Sequence, residues 1–367
     1  MKKPIVLALA ALLLLNFACQ KKKEDGNLPK QPIPSASRSS DMVLIYHGGE
    51  QRPLWNTAEI KHYVFRPNAT GLDWLFDTFL FLEIQAKINK KAYDFGSATS
   101  YTLKPTKAEW EWLIHKNFSA IYGPAAIEKV LDSLHNAGHS VPSKRKIFFG
   151  IPNPIVGTKW GALNKQELDF DNEADRLRAV QWYVDQTIEQ FKNKNFKYLE
   201  LAGFYWIPES AKYDLSIISS VTAYVHQTKH KICWIPYNYA PNAEQWKEVG
   251  FDIAYQQPNY FFDLDKSIYI MSRALTFARD HGMSMEMEFD AKIFKPGFID
   301  RFYDYINLFD KYGVWDSPSV SYYEGGGAWM QMATANDPLV FKAYTDLADI
   351  IARRQQKLNL ELGNNTE

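Results

Sequence analysis

The sequence predicts an α/β protein that folds as a single closed (β/α)8 barrel of the TIM type. Three observations lead to this prediction. From residue 41 onward, short apolar runs alternate with longer amphipathic stretches, which indicates strands that alternate with helices. Eight strand runs can be distinguished, the number that closes a barrel of this class. The main alternative, an open doubly wound sheet, lacks its usual Gly-rich phosphate loop after the first strand.

The predicted strands are apolar runs bounded by polar or turn-forming residues. They lie within residues 41–49, 73–84, 144–154, 196–206, 231–239, 251–260, 283–290 and 318–328. A small decoration is expected at 85–108 and a long loop at 152–170, and no second domain is predicted. The barrel is therefore expected to span residues 41–355, followed by a polar C-terminal tail at 356–367.

The predicted helices have apolar residues at spacings of three and four. They lie within 55–65, 104–118, 125–138, 172–195, 216–230, 242–250, 267–282, 298–313 and 337–357. Gly138 ends the third of them, as glycine commonly does at a helix C-terminus. The fourth carries acidic residues early and basic residues late, an order that the helix dipole favours.

The N-terminal segment 1–18 resembles a bacterial lipoprotein signal peptide. A basic start is followed by an apolar run too short for a comfortable membrane span, and Cys19 follows the small Ala18. Asn16 stands where such signals usually have Leu. Residues 19–40 are polar, contain Pro and Ser, and predict a disordered tether. We expect lipid on Cys19 and a cell-envelope location, with the outer membrane favoured; ordinary secretion is the alternative.

Composition narrows the function classes. Lys+Arg and Asp+Glu both number 42, so no net charge favours nucleic acid, and none is expected as a partner. Aromatic residues make up 15%, which indicates either a large aromatic core or flat surfaces that stack on sugar rings. The only cysteines are Cys19 and Cys233, and neither C-x-x-C nor H-E-x-x-H occurs. We therefore expect no disulfide, metal or cofactor.

Barrels of this class have their active site at the C-terminal ends of the strands. In this sequence those ends are polar and aromatic, with several carboxylates and no evident nucleophilic Ser or Cys. The candidate substrate-binding residues are Tyr46, His47, Glu83, Tyr205, Trp206, Tyr237, Asn238, Gln257, Asn259, Tyr260, Glu286, Tyr323 and Glu324.

Two carboxyl groups are the candidate catalytic pair. Cleavage of a glycosidic bond requires a general acid and, across the sugar ring, a nucleophile or base. Glu209 follows the fourth strand directly, and Glu288 lies at the end of the seventh. Glu286 is two residues from Glu288, so both leave the strand on one face while Met285 and Met287 leave on the other. Glu286 is expected to support Glu288; an ion-paired barrel layer is the alternative.

Other candidates also have alternative interpretations. Tyr205 and Trp206 alternate in direction, so only one of them can line a pocket. His47 is a possible proton donor or a structural residue. Glu324 precedes three glycines, which either let a substrate approach the backbone closely or form a strained turn.

Segments at these strand ends resemble the bacterial family known as domain of unknown function 4855. They are DWLFDTFLFLE, FYWIPE, YQQPNYF, MEMEFD and YYEGGGA, and the resemblance covers roughly residues 41–350. It implies a TIM-barrel-like domain in secreted or lipid-anchored proteins, often of gut Bacteroidetes and soil bacteria. It implies no established reaction and assigns no catalytic residue.

By analogy with barrel glycosidases, we expect an envelope-anchored barrel that hydrolyses a polysaccharide or oligosaccharide through Glu209 and Glu288. Tyr260 and Tyr323 should line the same pocket. A hydrolase needs the two carboxyl groups to face each other, at ~5–5.5 Å if retaining and ~6.5–9.5 Å if inverting. A non-catalytic glycan-binding lipoprotein, which needs only aromatic and amide side chains, is the alternative. A structural envelope protein with a closed barrel mouth is a third possibility.

Overall fold

The computed structural model describes residues 41–97, 101–212 and 215–364, and within these ranges it confirms the predicted barrel. The eight barrel strands are β1 (Asp41–Tyr46), β2 (Thr78–Leu82), β3 (Arg145–Ile151), β4 (Leu199–Trp206), β5 (Lys231–Trp234), β6 (Ile253–Gln256), β7 (Ser284–Glu288) and β8 (Val320–Tyr323). They pair in parallel, each with the next along the chain, and β8 pairs with β1. The predicted signal peptide, Cys19 and the tether lie outside the described residues.

Helices follow the barrel strands, as expected for alternating β and α units. They are α1 (Thr57–Val64), α2 (Lys107–Asn117), α3 (Pro124–Asn136), α4 (Glu173–Lys194), α5 (Leu215–Gln227), α6 (Tyr269–His281), α7 (Phe298–Lys311), α8 (Ala328–Ala333) and α9 (Pro338–Asn364). The prediction of a helix at 242–250 is wrong: this segment forms only the 3-10 turn Ala243–Gln245 followed by further turns. Among the described helices, none has the length and apolar character required to cross a bilayer.

In the part of the chain that the structure describes, three antiparallel hairpins extend from the barrel. The pair Gln85–Ile88 and Lys91–Asp94 is the predicted decoration, and the pair Lys159–Leu163 and Gln166–Asp169 lies within the predicted long loop. The remaining pair, Phe65–Asn68 and Gly71–Trp74, was not predicted, and it takes up the first residues of the expected second strand.

The core has two layers separated by the barrel wall. Twelve buried residues inside the barrel form one cluster, which includes Leu44, Phe148 and Tyr255. A much larger cluster lies between the strands and the helices. Seven of the 11 Trp residues are buried, so most of these rings pack the protein interior. This distribution favours the aromatic-core interpretation of the composition.

At the end of the barrel opposite the strand C-termini, a buried polar network lies between the strands and α9. The Asp41 carboxylate accepts hydrogen bonds from Tyr322 Oη (2.7 Å), Arg354 Nε (2.8 Å) and Gln355 Nε2 (2.9 Å). Arg354 and Gln355 belong to α9, so the last helix is tied to the first strand. Helix α9 continues to Asn364, into the segment predicted as a polar tail.

Candidate active site

Strand β7 carries two glutamates into the barrel mouth, as their spacing predicts. Met285 and Met287 pack in the outer cluster, whereas Glu286 lies inside, where Ser321 Oγ of β8 donates a hydrogen bond to its Oε1 (3.3 Å). Glu286 and Glu288 are each only 1% exposed. These buried carboxyl groups therefore titrate in an environment that disfavours charge.

Glu288 has several hydrogen-bond donors. Its Oε2 accepts from the Asn259 backbone N–H (2.6 Å) and from Tyr305 Oη (2.6 Å), and its Oε1 accepts from Asn259 Nδ2 (3.2 Å). Burial raises the pKa of Glu288 to about 7, the Tyr305 and Asn259 donors oppose this rise, and the carboxylate of Glu209 adds to it. Donors of this kind stabilise the ionised form of a buried carboxyl group.

Glu286 has fewer hydrogen-bond donors than Glu288. Burial raises its pKa well above the ordinary range, and the neighbouring carboxylates of Glu288 and Glu209 raise it further. The hydrogen bond from Ser321 is the opposing contribution. Glu286 is therefore the member of the β7 pair that most readily holds a proton.

Glu209 is positioned by its own backbone. The carbonyl of Pro208 accepts from the indole of Trp234 (2.7 Å), and the carbonyl of Glu209 accepts from the Tyr237 N–H (3.3 Å). The side chain is partly exposed, and burial raises its pKa while a hydrogen bond from the Gln257 side chain opposes the rise. The backbone of Glu209 is thus held at the rim of the mouth by the last residue of β5, Trp234, and by Tyr237 in the loop that follows.

The three carboxyl groups share one electrostatic environment. The charge of Glu209 raises the pKa of both Glu286 and Glu288. Glu209 and Glu286 also raise the pKa of the buried phenols Tyr46 and Tyr205, for which burial is the main cause. We call this set the mouth cluster; its members are Tyr46, Tyr205, Glu209, Gln257, Glu286, Glu288 and Tyr323.

The predicted amide residues tie the loops after β5 and β6 together. Gln257 donates to the Ile235 carbonyl (3.0 Å) and accepts from Asn259 Nδ2 (2.9 Å). The Asn238 backbone N–H donates to Asn259 Oδ1 (2.7 Å), and its side chain donates to the Pro258 carbonyl (3.0 Å). Most of this hydrogen-bonding capacity therefore serves to fix Gln257 and Asn259 beside the carboxyl groups.

An aromatic and cationic wall forms one side of the mouth cluster. The rings of Tyr46 and Tyr323 meet edge to face with centroids 5.7 Å apart, and the Arg52 guanidinium lies 4.6 Å from the Tyr46 centroid. Glu83 is fully buried and holds Arg52 through two hydrogen bonds of 2.8 Å. Glu83 therefore positions Arg52, a residue that the strand ends in the sequence did not indicate.

Three predicted site residues point towards the helices. His47 packs against Phe81 of the outer cluster, and burial together with the charge of Lys116 lowers its pKa to about 3. Trp206 is buried in the outer cluster, so Tyr205 is the ring that faces inward. Tyr260 donates to Asp304 Oδ2 (2.7 Å), and the expectation that it lines the pocket with the glutamates is not met.

Glu324 stabilises a turn. Its carboxylate accepts from the backbone N–H groups of Gly327 (2.7 and 2.8 Å) and Trp329 (3.0 Å) and from Tyr63 Oη (3.1 Å). Burial nevertheless raises its pKa to about 7, because the site is closed to water. The turn interpretation of Glu324 therefore fits better than a role in substrate binding.

Two exposed tyrosines stand at the rim. Tyr237 is 37% exposed and Tyr239 is 57% exposed, and the Arg273 guanidinium lies 3.1 Å from the Tyr239 ring centroid. Within the described ranges, no group of three or more His, Cys, Asp or Glu side chains is arranged to hold a metal ion. The chemistry of this mouth is thus that of carboxyl, phenol and amide groups.

Together these features define a TIM-barrel protein with a carboxyl-rich mouth. The profile of the family described as "Domain of unknown function (DUF4855)" matches residues 41–349. The chain belongs to this family, which confirms the resemblance seen in the sequence. No curated protein shows significant similarity to the chain.

Solved structures to which the chain is partly similar include proteins with different activities. A candidate α-L-fucosidase from Bacteroides thetaiotaomicron has a TM-score of 0.44 at 11% identity, over 95% of this chain and 100% of that one. The maltogenic α-amylase AmyB from Thermotoga neapolitana has 0.43 at 10%, over 86% and 77%. Tryptophan synthase from M. tuberculosis has 0.39 at 9%, over 86% and 95%. Likeness at this level concerns the barrel fold alone.

Proposed function

We propose that the mouth cluster hydrolyses glycosidic bonds in a carbohydrate substrate, with Glu209 as the general acid and Glu288 as its ionised partner. The observation that carries this proposal is the grouping of Glu209, Glu286 and Glu288 beside inward-facing tyrosines, with the pKa of every carboxyl group raised. Groups with perturbed pKa values in one cleft are characteristic of catalytic sites.

Glu209 suits the role of acid. An acid that works near neutral pH needs a raised pKa, and Glu209 has one because it is largely buried. It is also the most accessible of the three carboxyl groups, since Glu286 and Glu288 are each 1% exposed. Its partly exposed carboxyl group can therefore reach the oxygen of a leaving sugar.

Glu288 suits the role of nucleophile or base. The donors from Asn259 and Tyr305 stabilise its carboxylate, whereas Glu286 has the single weak donor Ser321. Between two adjacent carboxyl groups, the one with more donors keeps the negative charge. Glu286 then remains protonated, so it adds no second negative charge beside Glu288.

The same features leave one alternative, a barrel that binds glycans without cleaving them. Both oxygens of Glu288 already accept hydrogen bonds, and the side chain is 1% exposed. A binding protein would use only the tyrosines and amides at the mouth. The two functions differ in what happens when the carboxyl groups are removed.

The test is hydrolysis of a panel of plant, host and microbial glycans by the protein and by its Glu209→Gln and Glu288→Gln variants. Each substitution should lower kcat by about 10²-fold or more, because general acid–base catalysis alone contributes ~10²–10⁴-fold. Glu167→Gln, at an exposed hairpin position, is the matched control and should leave kcat unchanged. Glycan binding without turnover by the wild type as well as by both variants would support the binding protein and reject the hydrolase.

A further inference from the structure

We propose that a cleft beside the mouth cluster binds the acidic group, a carboxylate or a sulfate, of a charged glycan. The cleft lies among the loop after β1, the Gln85–Ile88 hairpin strand and α2, and its volume is about 280 Å³. Ligand pockets commonly span ~300–1,000 Å³, so this volume suits a single sugar residue or its substituent. Arg52, Lys87 and Lys116 line it together with Glu50, Leu54 and Trp112.

Charge favours an anion in this cleft. Arg52, Lys87 and Lys116 outnumber the lining acid Glu50, and the buried Glu83 forms its salt bridge with Arg52. Among the residues that the structure describes, no salt bridge engages the ammonium group of Lys87 or of Lys116. An acidic substituent would therefore find two ammonium groups that no carboxylate holds in a salt bridge.

Partial burial makes Lys116 a stronger partner for an anion. Its side chain is half-buried on α2, and burial lowers its pKa while the charge of Glu83 opposes the decrease. An ammonium group that has lost part of its hydration interacts more strongly with an incoming anion than an exposed one does. Lys116 also lies 5.9 Å from the ring centroid of Tyr122, so its position is restrained.

The cleft also has an apolar side that suits a sugar ring. Trp112 is half-buried and Leu54 is 48% exposed, and both line the cavity. Aromatic faces stack on the C–H face of sugars, and the lysines of the same cleft can bind a charged substituent. A simple inorganic anion would use only the lysines, whereas an acidic sugar would use both the lysines and the apolar side chains.

Arg52 connects the cleft with the mouth cluster. Its guanidinium lines the cleft and lies against Tyr46, whose ring contacts Tyr323. A sugar bound in the cleft would therefore have its neighbour along the chain near the mouth carboxyl groups. This inference gives the substrate class of the proposed hydrolase and, for that step, rests on the proposed function.

The test is calorimetric binding of three tetrasaccharides: tetragalacturonate, which is carboxylated, a κ-carrageenan tetrasaccharide, which carries sulfate but no carboxylate, and neutral cellotetraose. At least one acidic ligand should bind about tenfold or more tightly than cellotetraose, and added salt should reduce the difference. The Lys87→Ala/Lys116→Ala variant should lose this preference. The acidic ligand that binds distinguishes the carboxylate source from the sulfate source.

The matched control is Lys129→Ala/Lys144→Ala, which removes two exposed charges on α3 and just before β3. This control should bind like the wild type, and Lys116→Arg should retain most of the affinity. Equal losses in the two double variants, or no preference for either acidic ligand, would overturn the proposal. Thermal melting of each variant shows whether it is folded.

The outcome is separable from that of the proposed hydrolysis. Acidic-ligand binding that persists in Glu209→Gln, without turnover in the wild type, would keep the cleft and reject the hydrolase. Cleavage of neutral glycans with no preference for acidic ligands would support the hydrolase and reject the anion-binding cleft.

Discussion

The substitution Glu324→Gln tests whether Glu324 is a buried structural carboxyl group rather than a substrate ligand. Its carboxylate accepts hydrogen bonds from Gly327, Trp329 and Tyr63, and it is fully buried. Glutamine has a similar size and keeps one acceptor oxygen, so the turn can still form. Glutamine cannot titrate, and the variant should therefore differ from the wild type in how its stability depends on pH.

The sign and size follow from the pKa of Glu324, which burial raises from 4.5 to about 7. The folded protein holds this proton more tightly than the unfolded chain does. The resulting stabilisation is fully present below the unfolded pKa and is lost as pH rises towards 7. Between pH 5 and pH 8, the loss amounts to about 2.5 kcal/mol, with 1.36 kcal/mol for each pKa unit.

The assay is urea unfolding followed by tryptophan fluorescence at both pH values, for the wild type and Glu324→Gln. Between pH 5 and pH 8, the free energy of unfolding of the wild type should fall by about 2.5 kcal/mol relative to that of the variant. Other carboxyl groups titrate equally in both proteins, so their contributions cancel. If the free energies of unfolding of the two proteins changed equally with pH, Glu324 would not have a raised pKa. Its carboxyl group would then have to be hydrated, and the prediction would be refuted.

Two further predictions concern the barrel base and the N-terminus. Arg354→Ala should lower the free energy of unfolding by about 3 kcal/mol, because Asp41 would stay buried without its cation. The control Arg353→Ala, at an exposed position, should change it by less than ~0.5 kcal/mol. Equal effects of the two would contradict the assignment. Cys19→Ala should move the protein from the membrane fraction to the soluble one in cell fractionation, and unchanged partitioning would count against the lipid anchor.

The barrel could be predicted because its strands and helices carry clear periodic patterns. The alternation in β7 separates Glu286 from Met285 and Met287 correctly, since nothing interrupts that strand. The inward residue of β8 could also have been found, because the same alternation directs Ser321 inward and Tyr322 outward. Strand ends were less predictable, because the alternation stops where the strand does.

Strand β4 shows why Tyr205 and Trp206 could not be distinguished. Leu199 and Leu201 pack outward, and simple alternation would then direct Tyr205 outward as well. A β-bulge between Leu201 and Gly203 shifts the register, so Tyr205 faces inward. No residue pattern in the strand announces that shift.

Other site features depend on contacts between distant parts of the chain. Tyr305 reaches Glu288 from α7, and Arg52 reaches Glu83 from the loop after β1. The first interaction joins a helix to a strand end, and neither partner belongs to a recognisable local motif. Only the folded arrangement reveals such pairs.

The two backbone hydrogen bonds that hold the loop of Glu209 affect the entropy of substrate binding. Trp234 and Tyr237 fix the carbonyls of Pro208 and Glu209, so the main chain is already ordered before a ligand arrives. Ordering a loop upon binding normally reduces affinity, and this loop avoids most of that loss. Replacement of Trp234 by Phe would remove one of these restraints without touching the carboxyl group, and binding should then become entropically less favourable.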